Sequence, residues 1–381
     1  MRRVGVGGRR VNPPPPPPPP FQLAPPPASA RLTAGDPVKN ARALLRNALP
    51  IQNKAVRSIQ ADLEGISEQL RIPGSKALTP VSRAVRRAAG TLASQRASIA
   101  AAFAPDKAAA GAAALDGLDA ALKAFQTVLD AGDKQEVPAA QQAALGYVSA
   151  IEEALVQKFP FDVPAKYAAL PQLKGRATLE MKIKLKSPRQ DGVTGGVLTM
   201  VADGYNAPVT AGNFVDLVQK KFYDGMEFQR ADGFVVQTGD PGNPEAGYVE
   251  GGKLRTIPFE VRVATDTAPI YEETLEDNGR FNEQPAIPFN AYGTIAAARS
   301  EFEPNSASSQ VFWLLKESEL TPSGANLLDG RYAVLGYVVD GADLLADVQV
   351  GDKIEYVKVV EGGELLVKGK GAAAAAPAAS E

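Results

Sequence analysis

Apolar residues recur at intervals of three and four through the first half of the chain, which is the spacing of one helix face. Four such stripes are present: Val56, Ile59, Leu63, Ile66 and Leu70; Val81, Val85, Ala88, Leu92, Ile99 and Phe103; Leu115, Leu118, Leu122, Phe125 and Leu129; and Leu145, Val148, Ile151, Leu155 and Phe159. Short breaks with proline or glycine separate the stripes, as between the helices of an antiparallel bundle. Residues 37–158 are therefore predicted to form a helical bundle with the stripes as its core; a partner-binding groove is the alternative interpretation.

The pattern changes beyond residues 159–176, a proline-punctuated stretch that is predicted to be a linker. Apolar residues then alternate with polar ones, and most aromatic residues lie in this second part of the chain. Strands are predicted at residues 179–185, 196–202, 227–237, 253–263, 308–315, 333–339 and 353–360. A single helix fits residues 210–222. Many short strands with few helices predict that residues 177–368 form an antiparallel barrel or sandwich.

Neither end of the chain has a pattern that could build a core. Residues 1–36 hold eight consecutive prolines and five arginines. Proline fixes φ and donates no hydrogen bond, so this segment is predicted to be a disordered spacer, with a ligand for a proline-binding module as the alternative. Its arginine-rich, acid-poor composition also resembles part of an organelle transit peptide. The alanine-rich residues 369–381 are predicted to be disordered as well.

Two residue types, cysteine and histidine, are absent from the 381 residues. Their absence excludes disulfides, thiol nucleophiles, Ser-His-Asp triads and metal sites built on thiolate or imidazole. The 41 basic and 43 acidic side chains nearly balance, which disfavours a nucleic-acid partner. The first half contains no run of about 18 apolar residues, and no transmembrane segment is predicted. Any catalysis must use arginine, lysine, carboxylates, hydroxyl groups or shape.

Three stretches of the second half resemble the cyclophilins, a family of peptidyl-prolyl cis-trans isomerases. They are PVTAGNF at 208–214; FYDG at 222–225 with FQR at 228–230 and FVVQTGD at 234–240; and SQVF at 309–312 with LDGRYAVLG at 328–336. Their order and approximate spacing match those of the family. The resemblance implies an eight-stranded antiparallel β-barrel capped by helices, so the whole chain is predicted to be a multidomain α and β protein, with a helical bundle followed by this barrel.

The whole chain resembles a narrower group, the multidomain cyclophilins of the chloroplast thylakoid lumen. The stretches ALPI at 48–51, LKGR at 173–176 and FWLLKESELTP at 312–322 carry this resemblance. It implies location in the thylakoid lumen and a role in assembling and maintaining photosystem II. The implied partners are proline-containing segments in lumenal loops of photosystem II core proteins, together with a thylakoid protein phosphatase.

Rotation about an X–Pro bond crosses a barrier of about 18–20 kcal/mol, but no proton leaves and no covalent bond forms, so no cofactor or metal is expected. By motif position, the resemblance implies that Arg230 donates a hydrogen bond to the prolyl nitrogen. It implies that Phe234 and Phe312 form the walls of the proline pocket. Gln237 and Gln310 would hold the substrate backbone. The further substrate-binding positions implied are Leu327, Leu328, Tyr332 and Arg299.

Five departures from the family pattern bear on activity. Val235 replaces the usual pocket methionine. Leu327 stands where the family usually has tryptophan, and Tyr332 where it usually has histidine. Arg299 brings a long cation into a turn that is small in the family. The interval between Arg230 and Phe234 is one residue shorter than in the family, and a donor displaced by about 1 Å costs about a hundredfold in rate. We therefore expect isomerase activity to be weak or lost.

The residues leave alternatives open at two levels. Structurally, Phe234 and Phe312 are also typical of barrel core, and Arg230 is equally suited to pairing with an acidic side chain. Functionally, one rival is a competent isomerase. The other is a regulatory protein in which the bundle acts on a phosphatase and the barrel is a scaffold.

Charge is distributed unevenly between the two predicted domains. Residues 37–158 hold 15 basic and 11 acidic side chains, whereas residues 159–381 hold 21 basic and 31 acidic ones. Opposite net charges steer tethered domains together. The bundle is therefore predicted to contact the barrel and to cover part of its peptide groove, with aromatic residues near Phe159, Phe161 and Tyr167 in the contact.

Overall fold

The computed structural model describes residues 37–189, 192–317 and 326–369. The α-helices in these ranges are α1 (Ala41–Ala48), α2 (Lys54–Glu64), α3 (Ile66–Gln69), α4 (Leu78–Ala101), α5 (Ala108–Asp130), α6 (Val137–Ala154) and α7 (Pro208–Gln219). Within the described ranges, none of these helices has the length and apolar character needed to cross a membrane. The predicted disordered segments are residues 1–36 and 369–381, and all of them except residue 369 lie outside the described residues.

Four helices form the predicted bundle. α2 packs against α4 and α6, and α5 packs against the same two helices. The apolar stripes face inward, so that Leu63, Val81, Leu118 and Val148 are completely buried. Asn53 begins α2 by accepting a hydrogen bond from the Val56 amide at 3.2 Å, which satisfies one of the unpaired donors at the helix start.

The strands lie almost entirely in the second half. They are β1 (Gln172–Leu173), β2 (Arg176–Lys184), β3 (Gly195–Asp203), β4 (Arg230–Ala231), β5 (Val235–Thr238), β6 (Val249–Glu250), β7 (Lys253–Leu254), β8 (Glu260–Val261), β9 (Ile270–Tyr271), β10 (Thr294–Ala297), β11 (Val311–Leu314), β12 (Val334–Asp340), β13 (Lys353–Glu361) and β14 (Leu366–Val367). Eight of them form one antiparallel sheet in the order β13-β2-β3-β12-β10-β11-β5-β4. The Gly225 amide donates to the Ile354 carbonyl at 2.7 Å, and the Phe228 amide to the Asp352 carbonyl at 2.9 Å. These bonds join the chain ahead of β4 to β13, so the sheet curls as a barrel rather than packing as a sandwich.

Several elements differ from the sequence prediction. The strand predicted at residues 227–237 is two strands, β4 and β5, joined by a turn at residues 232–234. β10 is missing from the predicted strands because its four residues are all buried and show no alternation. The strand predicted at residues 253–263 is two short strands, β7 and β8, with Pro258 between them, where a ladder donor is lacking. The predicted helix at residues 210–222 begins at Pro208 and ends at Gln219.

Helix α1 lies in the range predicted for the bundle, but it packs against the barrel. Its side chains Leu44, Leu45 and Ala48 belong to the same buried apolar cluster as Phe289 and Tyr337. Helix α7 lies elsewhere on the sheet, where its own apolar face joins the main barrel core. The barrel is thus capped by one helix from its own sequence and one from the N-terminal half.

Arg176, on β2, is the centre of the contact between bundle and barrel. Its Nη1 donates to Glu153 Oε1 of α6 at 2.9 Å, and its Nη2 donates to the Leu45 carbonyl at 2.5 Å. The same Nη2 donates to Asp203 Oδ2 at 2.7 Å, and Asp203 is completely buried. Nearby, Asn206 Nδ2 donates to the carbonyl that ends α1, Ala48 O, at 3.2 Å. One side chain therefore binds α1, α6 and the sheet together.

The predicted contact between bundle and barrel is confirmed, but two details of the prediction are wrong. The cation at its centre, Arg176, belongs to the acidic half and the carboxylate of Glu153 to the basic half, so net domain charge does not determine the contact. The described residues of 37–158 also contribute nothing to the lining of the groove described below, although α1 side chains belong to the same apolar cluster as Phe312. Aromatic packing is present, since Phe159 contacts Phe161 and stacks on Tyr205 with ring centroids 6.3 Å apart.

The buried Glu152 of α6 gives this region a pH dependence. Burial raises the pKa of Glu152 to about 7, although Arg57, whose Nη1 lies 3.0 Å from Glu152 Oε1, acts to lower it. A carboxyl group whose pKa is raised on folding stabilises the protein at pH values below its unfolded-state pKa of 4.5. This stabilisation is lost as pH rises through about 7. From about pH 5 to pH 8 we expect this group to lower the free energy of unfolding by up to about 3 kcal/mol. Urea titrations of wild type and Glu152→Gln should show the variant with the flatter pH profile; identical profiles would contradict the assignment.

Candidate functional site

A groove of about 530 Å³ opens between β5, β11 and the turn that precedes β12. Phe312 forms its floor and is only 5% exposed. The Phe312 ring stacks on Phe289, with centroids 6.0 Å apart and planes at 8°, and meets Tyr332 edge-on at 5.4 Å. Phe234, which is 43% exposed, and Leu328 add to the apolar lining. The groove therefore has an apolar floor with polar residues around it and is open to solvent.

Strand register brings the predicted polar residues to this pocket. Arg230 of β4 pairs with Gln237 of β5, and Gln237 pairs with Phe312 of β11, so the three side chains form one row across the sheet. Gln237 Nε2 donates to Gln310 Oε1 at 2.8 Å, and Gln310 Nε2 donates to the Ala246 carbonyl at 2.8 Å. Both amides are thereby oriented along the groove wall.

Arg230 is paired with a carboxylate two residues away. Its Nε lies 2.7 Å and its Nη2 2.6 Å from Asp232 Oδ2. The other oxygen, Oδ1, accepts from the backbone amides of Phe234 and Val235, both at 2.9 Å. The Val235 amide, the Phe234 amide and Arg230 together lower the pKa of Asp232 to about 2. Asp232 thus shapes the short turn and holds the guanidinium at the same time.

The turn itself explains how a short interval is accommodated. Gly233 has φ of 77°, a conformation that costs glycine little and other residues more. Asp232 precedes it and accepts the Phe234 and Val235 amides with its side chain, as aspartate often does in a turn. This geometry agrees with the alternative interpretation, in which Arg230 pairs with an acidic side chain.

The rim residues divide into two groups. Arg299, Tyr332 and Leu328 line the groove, whereas Leu327 is 85% exposed and lies outside the lining. The Arg299 guanidinium carbon lies 5.1 Å from the centre of the Tyr332 ring, so the cation packs on the aromatic wall. The structure brings together the other eight predicted residues, and their roles stay predictions.

Sequence reasoning missed three parts of the site. Asp232 could have been found from the sequence, because an acidic residue two positions after a cationic strand residue can reach that cation across a turn. Phe289 lies in an irregular segment without periodicity, so nothing in the pattern placed it behind Phe312. The Ala246 carbonyl that orients Gln310 is a backbone group, which no side-chain pattern reveals.

Comparison with known proteins agrees with this architecture. Residues 40–156 match the family model "Peptidyl-prolyl cis-trans isomerase CYP38-like, PsbQ-like domain", and residues 190–363 match "Cyclophilin type peptidyl-prolyl cis-trans isomerase/CLD". The chloroplastic peptidyl-prolyl cis-trans isomerase CYP38 of Arabidopsis thaliana is 51% identical over 337 residues, which cover 88% of this chain and 77% of that protein. The chain belongs to the cyclophilin family.

A second relative of this cyclophilin comes from Synechocystis and is named as a thylakoid lumen peptidyl-prolyl cis-trans isomerase. It is 44% identical over 341 residues, 89% of this chain and 86% of the relative. Together with CYP38 it confirms the predicted family, the multidomain group and the location in the thylakoid lumen.

Among solved structures, a cyclophilin of Cryptosporidium parvum, whose crystal structure was determined in the presence of the dipeptide Ala-Pro, matches 48% of this chain and 99% of its own. Its identity is 17% and the TM-score is 0.33. The Mimivirus cyclophilin matches 50% of this chain and 92% of its own, with 16% identity and the same TM-score.

Proposed function

We propose that this cyclophilin binds proline-containing segments and acts as an assembly factor for photosystem II, with isomerase activity that is weak or lost. The observation that carries the proposal is an apolar pocket floor at Phe312 beside an Arg230 whose Nε and Nη2 already contact Asp232. The targets are lumenal loops of photosystem II core proteins. Location in the thylakoid lumen and the family resemblance support this choice of target.

Binding and catalysis make different demands on the groove. An apolar floor at Phe312 and two oriented amides at Gln237 and Gln310 suffice to hold an extended segment. Catalysis additionally needs a donor aimed at the prolyl nitrogen, where a lone pair develops as the amide twists. Arg230 shares its Nε and Nη2 with the Asp232 carboxylate, which compensates its charge and directs those donors away from a substrate.

Releasing Arg230 should therefore increase catalysis. In Asp232→Asn the amide oxygen can still accept the two turn amides, but the amide nitrogen cannot accept from the guanidinium. We expect the full-length wild type to accelerate a protease-coupled isomerisation assay weakly, Arg230→Ala to change it little, and Asp232→Asn to raise the rate by about tenfold or more. The matched control is Asp240→Asn, which also removes a charge at a turn carboxylate that accepts a backbone amide, there from Gly242 at 2.8 Å.

Two results would change the proposal. A fast wild type that loses about a hundredfold in Arg230→Ala would establish the competent isomerase instead. Binding is tested separately by titrating a proline-rich peptide into the full chain and following the amide resonances of Gln237, Gln310 and Phe312. Perturbations restricted to the helical bundle would favour the scaffold alternative.

A further inference from the structure

We propose that Arg299 makes the groove selective for segments that carry a carboxylate within about three residues of the bound proline. This inference rests on the proposed peptide binding, and it names the substrate class of that groove. It is carried by the way the guanidinium is anchored and by the absence of a carboxylate partner for it among the described residues.

Backbone carbonyls fix the guanidinium in place. Arg299 Nε donates to the Arg331 carbonyl at 2.8 Å, and Nη1 donates to the Ser300 and Glu301 carbonyls at 2.7 and 2.9 Å. Arginine has five N–H groups, one on Nε and two on each Nη. These three bonds leave both N–H groups of Nη2 without a partner in the described part of the chain. Nη2 therefore offers a charged donor in a fixed position, which can form a charge-assisted hydrogen bond with a carboxylate.

The other cations near this groove are already compensated. Arg230 pairs with Asp232 at 2.6 Å, and Arg331 pairs with Glu276 at 2.9 Å. Arg299 forms no ion pair with any described residue, and Glu301 approaches it only through its main-chain carbonyl. Burying such a cation under a peptide costs free energy unless the peptide supplies a negative group. A neutral segment therefore loses affinity that an acidic one retains.

The distances set the position of the carboxylate. The Tyr332 ring contacts both groups, with its centroid 5.1 Å from the Arg299 guanidinium carbon and 5.4 Å from the Phe312 centroid. The cation and the floor on which the proline would sit are therefore separated by at most the sum of these two distances. An extended chain advances roughly 3.3–3.6 Å per residue, so this separation corresponds to at most about three residues.

The attraction between Arg299 and a peptide carboxylate acts only over a short distance. Glu245 also lines the groove and Glu301 and Glu303 lie close to Arg299 in sequence, so the surrounding field is not strongly positive. Exposed pairs of this kind contribute modestly and weaken in salt. We expect a five- to tenfold preference for the acidic peptide, which is about 1–1.4 kcal/mol.

The test is a double-mutant cycle with the full chain. Fluorescent peptides with one central proline carry glutamate or glutamine at each position one to three residues away, and affinities are measured for wild type and Arg299→Gln. We expect wild type to prefer glutamate at one or more positions and Arg299→Gln to show no preference. The control is Arg331→Gln, whose guanidinium is already paired with Glu276 and which should keep the preference. Emission from Trp313, on β11, verifies that each variant is folded.

Each outcome is decisive. Equal affinity of wild type for glutamate and glutamine peptides at all positions overturns the inference while leaving peptide binding intact. A preference that persists in Arg299→Gln assigns the selectivity to another cation and also overturns it. If no proline peptide binds but the chain is folded, the proposed function itself is wrong.

Discussion

Arg176→Met is expected to lower the free energy of unfolding by about 3–5 kcal/mol, because it leaves a buried carboxylate without its cation. Asp203 is completely buried and takes its ion pair from Arg176 at 2.7 Å. The same substitution removes the bonds to Glu153 and to the Leu45 carbonyl, so the attachment of α1 and α6 to the sheet is weakened as well.

Urea titrations test this expectation with two signals. Trp313, the only tryptophan, reports on the barrel, and far-ultraviolet circular dichroism is dominated by the bundle. Lys182→Met is the control, because its pair with Glu355 is exposed and should contribute at most about 1 kcal/mol. Equal losses of unfolding free energy in Arg176→Met and Lys182→Met would show that Arg176 is not the centre of the contact between bundle and barrel.

Phe312→Ala should weaken proline-peptide binding by at least about 30-fold, equivalent to about 2 kcal/mol, because it removes the floor of the groove. The lost packing against Phe289 and Tyr332 should also lower the free energy of unfolding by about 3–5 kcal/mol. Fluorescence anisotropy of a labelled peptide measures the first effect, and urea titration the second.

Phe281→Ala is the matched control for this experiment. Its ring is 67% exposed and lies outside the groove lining, so stability should change by no more than about 0.5 kcal/mol and affinity not at all. If Phe312→Ala is destabilised but binds peptide as tightly as wild type, Phe312 is barrel core only.

Elements with a long regular pattern were predictable from the sequence. The bundle stripes through Leu63 and Leu118 repeat often enough that chance periodicity is excluded, and they are buried as expected. β10 could not be found, since four consecutive buried residues carry no period. The packing partner of α1 was equally hidden, because an apolar face shows that a helix is covered but not what covers it.

The site residues divide in the same way into those that the sequence predicted and those that it did not. Matched motifs identified Phe312, Gln237 and Gln310, and strand register places Phe312 directly opposite Gln237. The neutralising contact of Asp232 depends on where a shortened turn places one carboxylate, and the Arg299 contacts depend on main-chain carbonyls of two separate loops. Such contacts arise from tertiary geometry and leave no periodic trace.

The attachment of α1 to the barrel has a practical consequence for expressing the barrel as a separate fragment. A recombinant fragment that begins in the segment between bundle and barrel would include every strand but lack Leu44, Leu45 and Ala48. The apolar cluster around Phe289 and Tyr337 would then face water, and such a patch favours self-association. The barrel with its apolar clusters covered is therefore discontinuous in sequence: supplying α1 as a separate peptide, or fusing it to the fragment through a flexible tether, should suppress this self-association.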